Sequence, residues 1–245
     1  MKEMRSLLLL RDFDIEVATL APICGADAMI FDLRGSLGSE EDDNLRMDAL
    51  CGMAAASHGD RMLPRIFALI HDLDTEQADR DLEAVVSFGA SGIVLPGART
   101  GADVQRLGAR LAVLEAQNGL RDGSCEILPL VTQTAASLFG LGSYAGCSPR
   151  LKGLAWSAQD FSAALGAQAE RLPDGSLSMA CQLARSLTLV GARAAGAAPI
   201  DTPFTDLQDE QGLRRECEAA FRDGFAGKIA LSVAQVGVIN EIFSG

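Results

Sequence analysis

The chain has 245 residues and a formal net charge of −12 at pH 7, from 33 acidic and 21 basic side chains. This negative charge repels phosphate backbones and anionic lipid headgroups, so we expect neither a nucleic acid nor a membrane as a partner. The leucine run at residues 7–10 is too short for a signal-peptide core or a bilayer span. The six cysteines form no Cys-x-x-Cys pair, which predicts free thiols in a reducing cytoplasm.

Eight short apolar runs recur along the chain, and each is continuous instead of alternating between apolar and polar residues. Continuous runs are typical of strands that are buried on both faces of a parallel sheet. The predicted strands lie at residues 6–10, 28–33, 63–69, 92–97, 126–131, 151–156, 199–204 and 228–232.

Amphipathic segments with the three- and four-residue spacing of helices separate these runs. Eight strands, each followed by a helix, predict a single (β/α)₈ barrel of the TIM-barrel class over residues 1–245. The main alternative is an open doubly wound sheet, but its Gly-x-Gly-x-x-Gly motif is absent after the first strand. The predicted helices lie at residues 14–21, 39–56, 75–88, 102–115, 134–144, 179–195, 206–222 and 233–243.

Active sites of such barrels lie at the carboxyl ends of the strands. The residues at the predicted ends form a polar rim with few acids and no histidine, so a general base would have to be an aspartate or a water molecule. Arg65 lies within an apolar run, where an unpaired charge is costly. It therefore either holds an anion or pairs with an internal acid such as Asp32. The polar residues of this predicted rim include Arg11, Asp32, Arg34, Gln133, Asp160, Asp201, Thr202, Asp206 and Ser232.

Several short motifs occur in the order and spacing of one known family. Residues 25–33 read Gly-Ala-Asp-Ala-Met-Ile-Phe-Asp-Leu, and residues 92–96 read Gly-Ile-Val-Leu-Pro. Residues 201–206 read Asp-Thr-Pro-Phe-Thr-Asp, and residues 224–228 read Gly-Phe-Ala-Gly-Lys, followed by Ala-Gln-Val at 234–236. Through these motifs the chain resembles the HpcH/HpaI aldolase and citrate lyase β-subunit family over almost its full length.

The resemblance implies a barrel of the phosphoenolpyruvate/pyruvate type and a carbon–carbon lyase or aldolase that acts on a β-hydroxyacyl-CoA or a 2-oxo acid. In such enzymes Mg²⁺ binds the substrate oxygens and stabilises an enolate. The resemblance implies Gln133 and Asp160 as metal ligands, Arg65 as a catalytic residue, and substrate contacts from Arg65, Gln133, Asp32 and Arg5. It also implies a homo-oligomer, either a trimer or a hexamer.

The chain departs from the family pattern at charged positions. Gln133 replaces the metal-binding glutamate, Arg34 replaces an acidic residue, and Gly97 replaces a lysine. The change to glutamine keeps an oxygen ligand but removes a negative charge, and Arg34 adds a positive charge at the same mouth. We therefore expect a weakened magnesium site. An alternative stays open, in which the barrel has lost its chemistry and serves as a binding or assembly subunit.

Overall fold

Eight strands form the centre of the molecule. The computed structural model describes residues 4–11, 24–35 and 64–245. Within these ranges the strands are β1 (Ser6–Leu10), β2 (Ala28–Asp32), β3 (Arg65–Leu69), β4 (Gly92–Leu95), β5 (Glu126–Pro129), β6 (Gly153–Ala155), β7 (Ala198–Asp201) and β8 (Gly227–Ala230).

The eight strands are parallel and belong to one sheet, in the order β5-β4-β3-β2-β1-β8-β7-β6. Two further parallel bridges, Ile127 to Leu151 and Leu130 to Ala155, join β5 to β6. The sheet therefore curls into a barrel whose last seam consists of two bridges. The predicted barrel is confirmed, and each predicted strand overlaps the observed one.

Helices lie between the strands. The α-helices of the described ranges are α1 (Glu76–Ser87), α2 (Gly101–Gln117), α3 (Ala158–Ala164), α4 (Met179–Ala194), α5 (Glu210–Asp223) and α6 (Val233–Phe243), and a 3₁₀ helix covers Ala135–Tyr144. The predicted helices at residues 14–21 and 39–56 lie outside the described residues. Within the described ranges, no helix is both long and apolar enough to cross a bilayer. Cys125, Cys147, Cys181 and Cys217 are free thiols, as predicted.

Two helical segments differ from the prediction. Residues 135–144 form a 3₁₀ helix, and a Cβ atom at Gly140 within it would lie 2.0 Å from the carbonyl oxygen of Arg99. This close approach to a neighbouring loop requires glycine, which weakens an ordinary α-helix. The short helix α3 was not predicted as such, because seven residues are too few to show a helical period.

The strand side chains alternate between two apolar cores, one inside the barrel and one between the barrel and the helices. Gly92 has no side chain, and the ring of Phe67 occupies the space beside it inside the barrel. A Cβ atom at Gly92 would lie 2.5 Å from the Phe67 ring and 2.7 Å from the carbonyl oxygen of Glu126. The first residue of the Gly-Ile-Val-Leu-Pro motif is therefore a packing requirement. The barrel interior is filled by Leu7, Leu9, Ile30, Phe67, Leu69, Val94, Leu128, Ala155, Ile200 and Ile229.

A buried ion pair anchors α2 to the loop before β6. The Arg150 guanidinium donates to both carboxylate oxygens of Glu115, at 2.8 and 2.7 Å, and the Glu115 side chain is fully buried. The same carboxylate accepts from the backbone amides of Gly123 and Cys125 and from the hydroxyl of Ser124. Burial opposes ionisation, but these hydrogen bonds outweigh it and lower the pKa of Glu115 to about 2.

We predict that Glu115→Gln lowers the free energy of unfolding by about 3 kcal/mol, because Arg150 loses its buried carboxylate partner and keeps the exposed Asp122 as its remaining ion-pair partner. In the native chain this contribution is complete above the ordinary pKa of 4.5 and is lost as the pH falls towards 2. Urea unfolding between pH 2 and pH 7 measures both effects. Glu83→Gln, on the exposed face of α1, is the control and should change stability by less than about 0.5 kcal/mol. Equal stability of the two variants at pH 7 would contradict the prediction.

Candidate active site

The carboxyl ends of β4, β5 and β6 meet at the side chain of Gln133. Its Oε1 accepts a hydrogen bond from the backbone amide of Gly97 at 2.5 Å. Its Nε2 donates to Oδ2 of Asp160 at 2.8 Å. Because an amide N–H faces one end of the carboxamide and a carboxylate faces the other, the network allows only this orientation of the amide. The structure therefore brings together two of the residues predicted for the metal site.

Asp160 is positioned by the start of α3. The Ser157 hydroxyl caps the helix by accepting from the backbone amide of Asp160 at 3.1 Å. Two threonines hold this turn in place: Thr132 accepts from the amide of Ser157, and Thr202 accepts from the amide of Ala158. The carboxylate lies in the first helical turn, where the helix dipole favours a negative charge.

Asp32 and Arg34 form an ion pair at the same end of the barrel. Arg34 Nε and Nη2 each donate to a different oxygen of Asp32, both at 2.9 Å. Burial opposes ionisation of Asp32, but the hydrogen bonds and charge of Arg34 outweigh it and lower the pKa of this carboxyl. The bonds to Asp32 raise the pKa of Arg34, and the negative charges of Asp160 and Asp72 raise it further. Arg34 therefore lies within electrostatic reach of Asp160.

A cleft of about 690 Å³ opens beside Gln133. Arg106 on its wall is paired with Asp74, and Arg34 is paired with Asp32. Arg99 also lines the cleft, and its side chain has no ion-pair partner within the described ranges. The guanidinium of Arg99 can attract an anionic group, although the carboxylates of Asp72 and Asp103 line the same cleft. It is lined by Arg34, Asp72, Leu73, Asp74, Thr75, Leu95, Pro96, Gly97, Arg99, Asp103, Arg106, Gln133 and Thr134.

The comparisons with known proteins agree with this architecture. The family model described as HpcH/HpaI aldolase/citrate lyase matches residues 5–232. The chain belongs to this family. It is 30% identical over 224 residues to the citrate lyase subunit beta of Leuconostoc mesenteroides subsp. cremoris. The aligned region covers 91% of this chain and 71% of that protein. The chain is 31% identical over 219 residues to a (3S)-malyl-CoA thioesterase of Cereibacter sphaeroides, with 89% and 70% covered.

Solved structures give the same result. The protein CitE from Mycobacterium tuberculosis, in complex with magnesium and acetoacetate, superposes with a TM-score of 0.79 at 25% identity and covers 98% of this chain and 90% of that chain. A complex of CitE with magnesium, acetoacetate and coenzyme A superposes with a TM-score of 0.77 at 25% identity, covering 99% and 82%. The predicted resemblance to the HpcH/HpaI family is therefore confirmed.

Arg65 lies at the opposite end of the barrel from Gln133. It is the first residue of β3, it forms an ion pair with Glu126 at the start of β5, and its guanidinium lies 5.1 Å from the centre of the Phe67 ring. Four strand residues, at about 3.3 Å each, separate it from the carboxyl end of β3. The expectation that Arg65 joins Gln133 and Asp160 at one mouth is therefore wrong. The alternative prediction, that Arg65 pairs with an internal acid, is correct, but the acid is Glu126 and not Asp32.

Arg5 also lies at the amino ends of the strands. It precedes β1 and donates to both oxygens of Asp27, at 2.8 and 3.0 Å. The expected substrate contact from Arg5 does not fit this placement, since Asp27 immediately precedes β2 and Gln133 is at the other end of the barrel. Asp32 does lie at the predicted end, but its carboxylate is engaged by Arg34.

Asp201 does not contribute to the rim. Its buried carboxylate accepts from Trp156 Nε1 at 2.9 Å and pairs with Arg185 and with Lys228, which is itself fully buried. Burial opposes ionisation of Asp201, but the charges of Lys228 and Arg185 outweigh it and lower its pKa. Lys228 also pairs with Glu216 on α5. These residues of the family motifs hold the helix layer on the barrel.

The prediction that the rim lacks a histidine is wrong. His71 follows the end of β3 by two residues, and its Nδ1 lies 2.8 Å from Oδ2 of Asp81 on α1. Its backbone amide donates to the same oxygen at 2.9 Å. Arg99, four residues after β4, was also missed. Both residues stand in loops after the strand ends, so a search extended a few residues beyond each apolar run would have found them.

We predict that Arg65→Met lowers the free energy of unfolding by about 2–3 kcal/mol. Among the described residues, Glu126 then keeps one cationic partner, Lys152, at 3.9 Å. The double variant Arg65→Met/Glu126→Leu should recover more than half of this loss, since it also removes the uncompensated carboxylate. Urea unfolding of the three proteins tests the pair. A double variant no more stable than the single one would refute a structural ion pair at this end of the barrel.

Proposed function

We propose that this chain is a carbon–carbon lyase of the citrate lyase β-subunit type, acting on a β-hydroxyacyl-CoA or a 2-oxo acid with Mg²⁺ as cofactor. The observation that carries the proposal is the Gln133–Asp160 pair at the carboxyl ends of the strands, next to a cleft with arginine side chains. Support comes from relatives named citrate lyase subunit beta and (3S)-malyl-CoA thioesterase, and from the CitE complexes with magnesium, acetoacetate and coenzyme A.

The residues present fit Mg²⁺ as a partial site. Within the described ranges, no cluster of three or more His, Cys, Asp or Glu side chains is arranged to hold a metal ion. Mg²⁺, however, usually keeps several waters and is held by one or two carboxylates together with substrate oxygens. Asp160 supplies one carboxylate, and Gln133 supplies an amide oxygen once it leaves Gly97. Bound there, Mg²⁺ would act as a Lewis acid towards a substrate carbonyl.

The other residues of the site bind and orient. Arg99 and Arg34 offer positive charge to the anionic groups of a substrate in the cleft. The bidentate bond to Asp32 holds Arg34 in place. The lowered pKa of Asp32 makes it a poor proton acceptor, so its part is to orient Arg34 and not to take up a proton.

We predict that Asp160→Asn lowers kcat/KM for a β-hydroxyacyl-CoA such as malyl-CoA by about 100-fold or more, because the site loses its carboxylate ligand. Asp174→Asn, in the exposed turn before α4, is the matched control and should keep activity within about twofold. Formation of acetyl-CoA and glyoxylate from malyl-CoA is measured with Mg²⁺ present, and thermal unfolding checks that both variants are folded. An Asp160→Asn protein with full activity would overturn the assignment of this residue.

The second candidate is a binding or assembly subunit without lyase activity. One observation favours it: Nε2 of Gln133 donates a hydrogen bond to the Asp160 carboxylate, so this carboxylate has a partner without a cation. The same assay separates the two candidates. If the purified wild-type chain turns over neither malyl-CoA nor oxaloacetate at millimolar Mg²⁺ or Mn²⁺, the second candidate replaces the first.

We also infer that the chain forms a homo-oligomer, a trimer or a hexamer by analogy with the family, in a reducing cytoplasm. An apolar stripe on the outer face of α4 supports self-association, with Met179 84% exposed and Phe139, on the adjacent 3₁₀ helix, 93% exposed. A stripe of this kind is typical of a surface covered by a partner. Its other members are Leu183, Leu187 and Val190.

We predict that Leu183→Glu shifts the chain towards the monomer, because it places a charge in the middle of this stripe. Light scattering coupled to size-exclusion chromatography measures the mass. Val113→Glu is the matched control, since Val113 is the exposed large apolar residue of α2 and is 57% exposed. A wild-type monomer at micromolar concentration would contradict the inference.

A further inference from the structure

Helix α3, which carries Asp160, is too short to be stable by itself. It has seven residues, and isolated helices of fewer than about 12 residues are marginal in water. Its position, and with it the direction of the Asp160 carboxylate towards Gln133, therefore depends on contacts from neighbouring elements.

Three hydroxyl groups hold the backbone at the start of α3. Oγ1 of Thr132 accepts from the amide of Ser157 at 3.2 Å, and Oγ of Ser157 accepts from the amide of Asp160 at 3.1 Å. The shortest of the three bonds comes from Thr202, which directly follows β7: its Oγ1 accepts from the amide of Ala158 at 2.9 Å. Thr132 and Thr202 are 0% and 1% exposed, so water does not compete for the amides that they hold.

Thr202 is itself held by the buried ammonium group of Lys228. Nζ of this lysine, on β8, donates to the carbonyl oxygen of Thr202 at 2.6 Å. It also donates to Oε1 of Glu216 at 2.7 Å and to Oδ2 of Asp201 at 3.3 Å. An ammonium group has three donors, and all three have partners here while the side chain is fully buried. Because separating a buried charge from its partners is costly, this lysine is a rigid support for Thr202.

A series of hydrogen bonds therefore connects β8 to the candidate site. It runs from Lys228 to Thr202 and on to the first amide of α3, and the same helix presents Asp160 to Gln133. The bonds join residues that are 26 to 44 positions apart in the sequence, so the position of Asp160 is not set locally. A misplacement of about 1 Å can slow catalysis about 100-fold, even when the change is far from the chemistry.

We propose that Lys228 and Thr202 are positioning residues of the reaction proposed above: the buried ammonium fixes the carbonyl of Thr202, and the hydroxyl oxygen of Thr202 anchors the first amide of α3, which holds the Asp160 carboxylate at the mouth of the barrel. The inference rests on the proposed function, because both residues act through Asp160 and not on the substrate.

Replacement of Thr202 by valine tests this anchor, because valine has the same shape but cannot accept a hydrogen bond. We expect Thr202→Val to lower kcat for malyl-CoA about 10-fold or more at saturating Mg²⁺. KM should stay within about threefold, since Arg34 and Arg99, which offer positive charge to the substrate, are unchanged. Thr202→Ser keeps the hydroxyl oxygen and should recover about half or more of the wild-type kcat.

Thr188→Val is the matched control. Thr188 is also fully buried, and its hydroxyl donates to the carbonyl oxygen of Ala184 within α4. The same hydroxyl group is thus removed outside the network, and kcat should stay within about twofold of the wild type. Thermal unfolding checks that all three variants are folded.

Hydrogen exchange of the metal-free chain measures the anchor without any turnover. Exchange of the backbone amides of residues 158–164 is followed by mass spectrometry. It should be about 10-fold or more faster in Thr202→Val than in the wild type, because the start of α3 opens locally once its first amide loses its partner. Thr202→Ser and Thr188→Val should exchange like the wild type.

A double variant tests the lysine. Lys228→Met/Glu216→Gln removes the ammonium together with one of its carboxylate partners, and Arg185 remains to pair with Asp201. We expect the same faster exchange of residues 158–164 as in Thr202→Val. Glu216→Gln alone keeps the ammonium and should leave this exchange unchanged. A folded double variant with native exchange and native kcat would refute the role of Lys228.

The outcomes separate this proposal from the function on which it rests. Native kcat and native exchange in Thr202→Val would overturn the positioning role. A loss of kcat that Thr202→Ser does not restore would also overturn it, because the hydroxyl oxygen would then not be the cause. A wild-type chain without turnover would overturn the lyase, and the exchange of residues 158–164 would still decide whether Thr202 anchors α3.

Discussion

The side chain of Gln133 connects three parts of the barrel mouth: the loop after β4, the loop after β5 and the start of α3. Its oxygen accepts a hydrogen bond from the amide of Gly97 after β4, and its nitrogen donates one to Asp160 in α3. A carboxylate at this position could not donate to Asp160, and two facing carboxylates would repel each other without a cation between them. The amide makes the mouth of the barrel stable in the absence of an ion, so any ion that binds must compete with an existing bond.

Glutamine at position 133 changes the chemistry of the site without changing the fold of the barrel. The fold of this chain depends on packing features such as the Phe67–Gly92 contact inside the barrel and the buried network of Asp201, Lys228 and Glu216. Its proposed chemistry depends on the charge at a few positions, and Gln133 and Arg34 change that charge. The fold depends on the first set of residues, and the proposed activity depends on the second.

The barrel could be predicted from the sequence because its strands are buried on both faces and appear as continuous apolar runs. The pairing of Gln133 with Asp160 was also predictable, since both residues follow strand ends and such ends meet at one edge. The prediction placed Arg65 at the wrong end of the barrel, because an apolar run locates a strand but does not show which residue begins it. The arginine opens its strand, and its partner Glu126 opens another strand that is distant in the sequence. His71 was not predicted because it lies in the loop two residues beyond the end of β3.

Two backbone bridges join β5 to β6, and the candidate site lies at the carboxyl end of this seam. These two strands are joined by two bridges, whereas β2 and β3 share five registered pairs. Gln133 follows β5 and Asp160 follows β6, so their hydrogen bond adds a side-chain link across this seam at the carboxyl ends of the strands. Rotation of the Gln133 amide therefore breaks the hydrogen bond between the two strand ends. Backbone amide protons of β5 and β6 will then exchange with solvent faster until a bound ligand links these ends again.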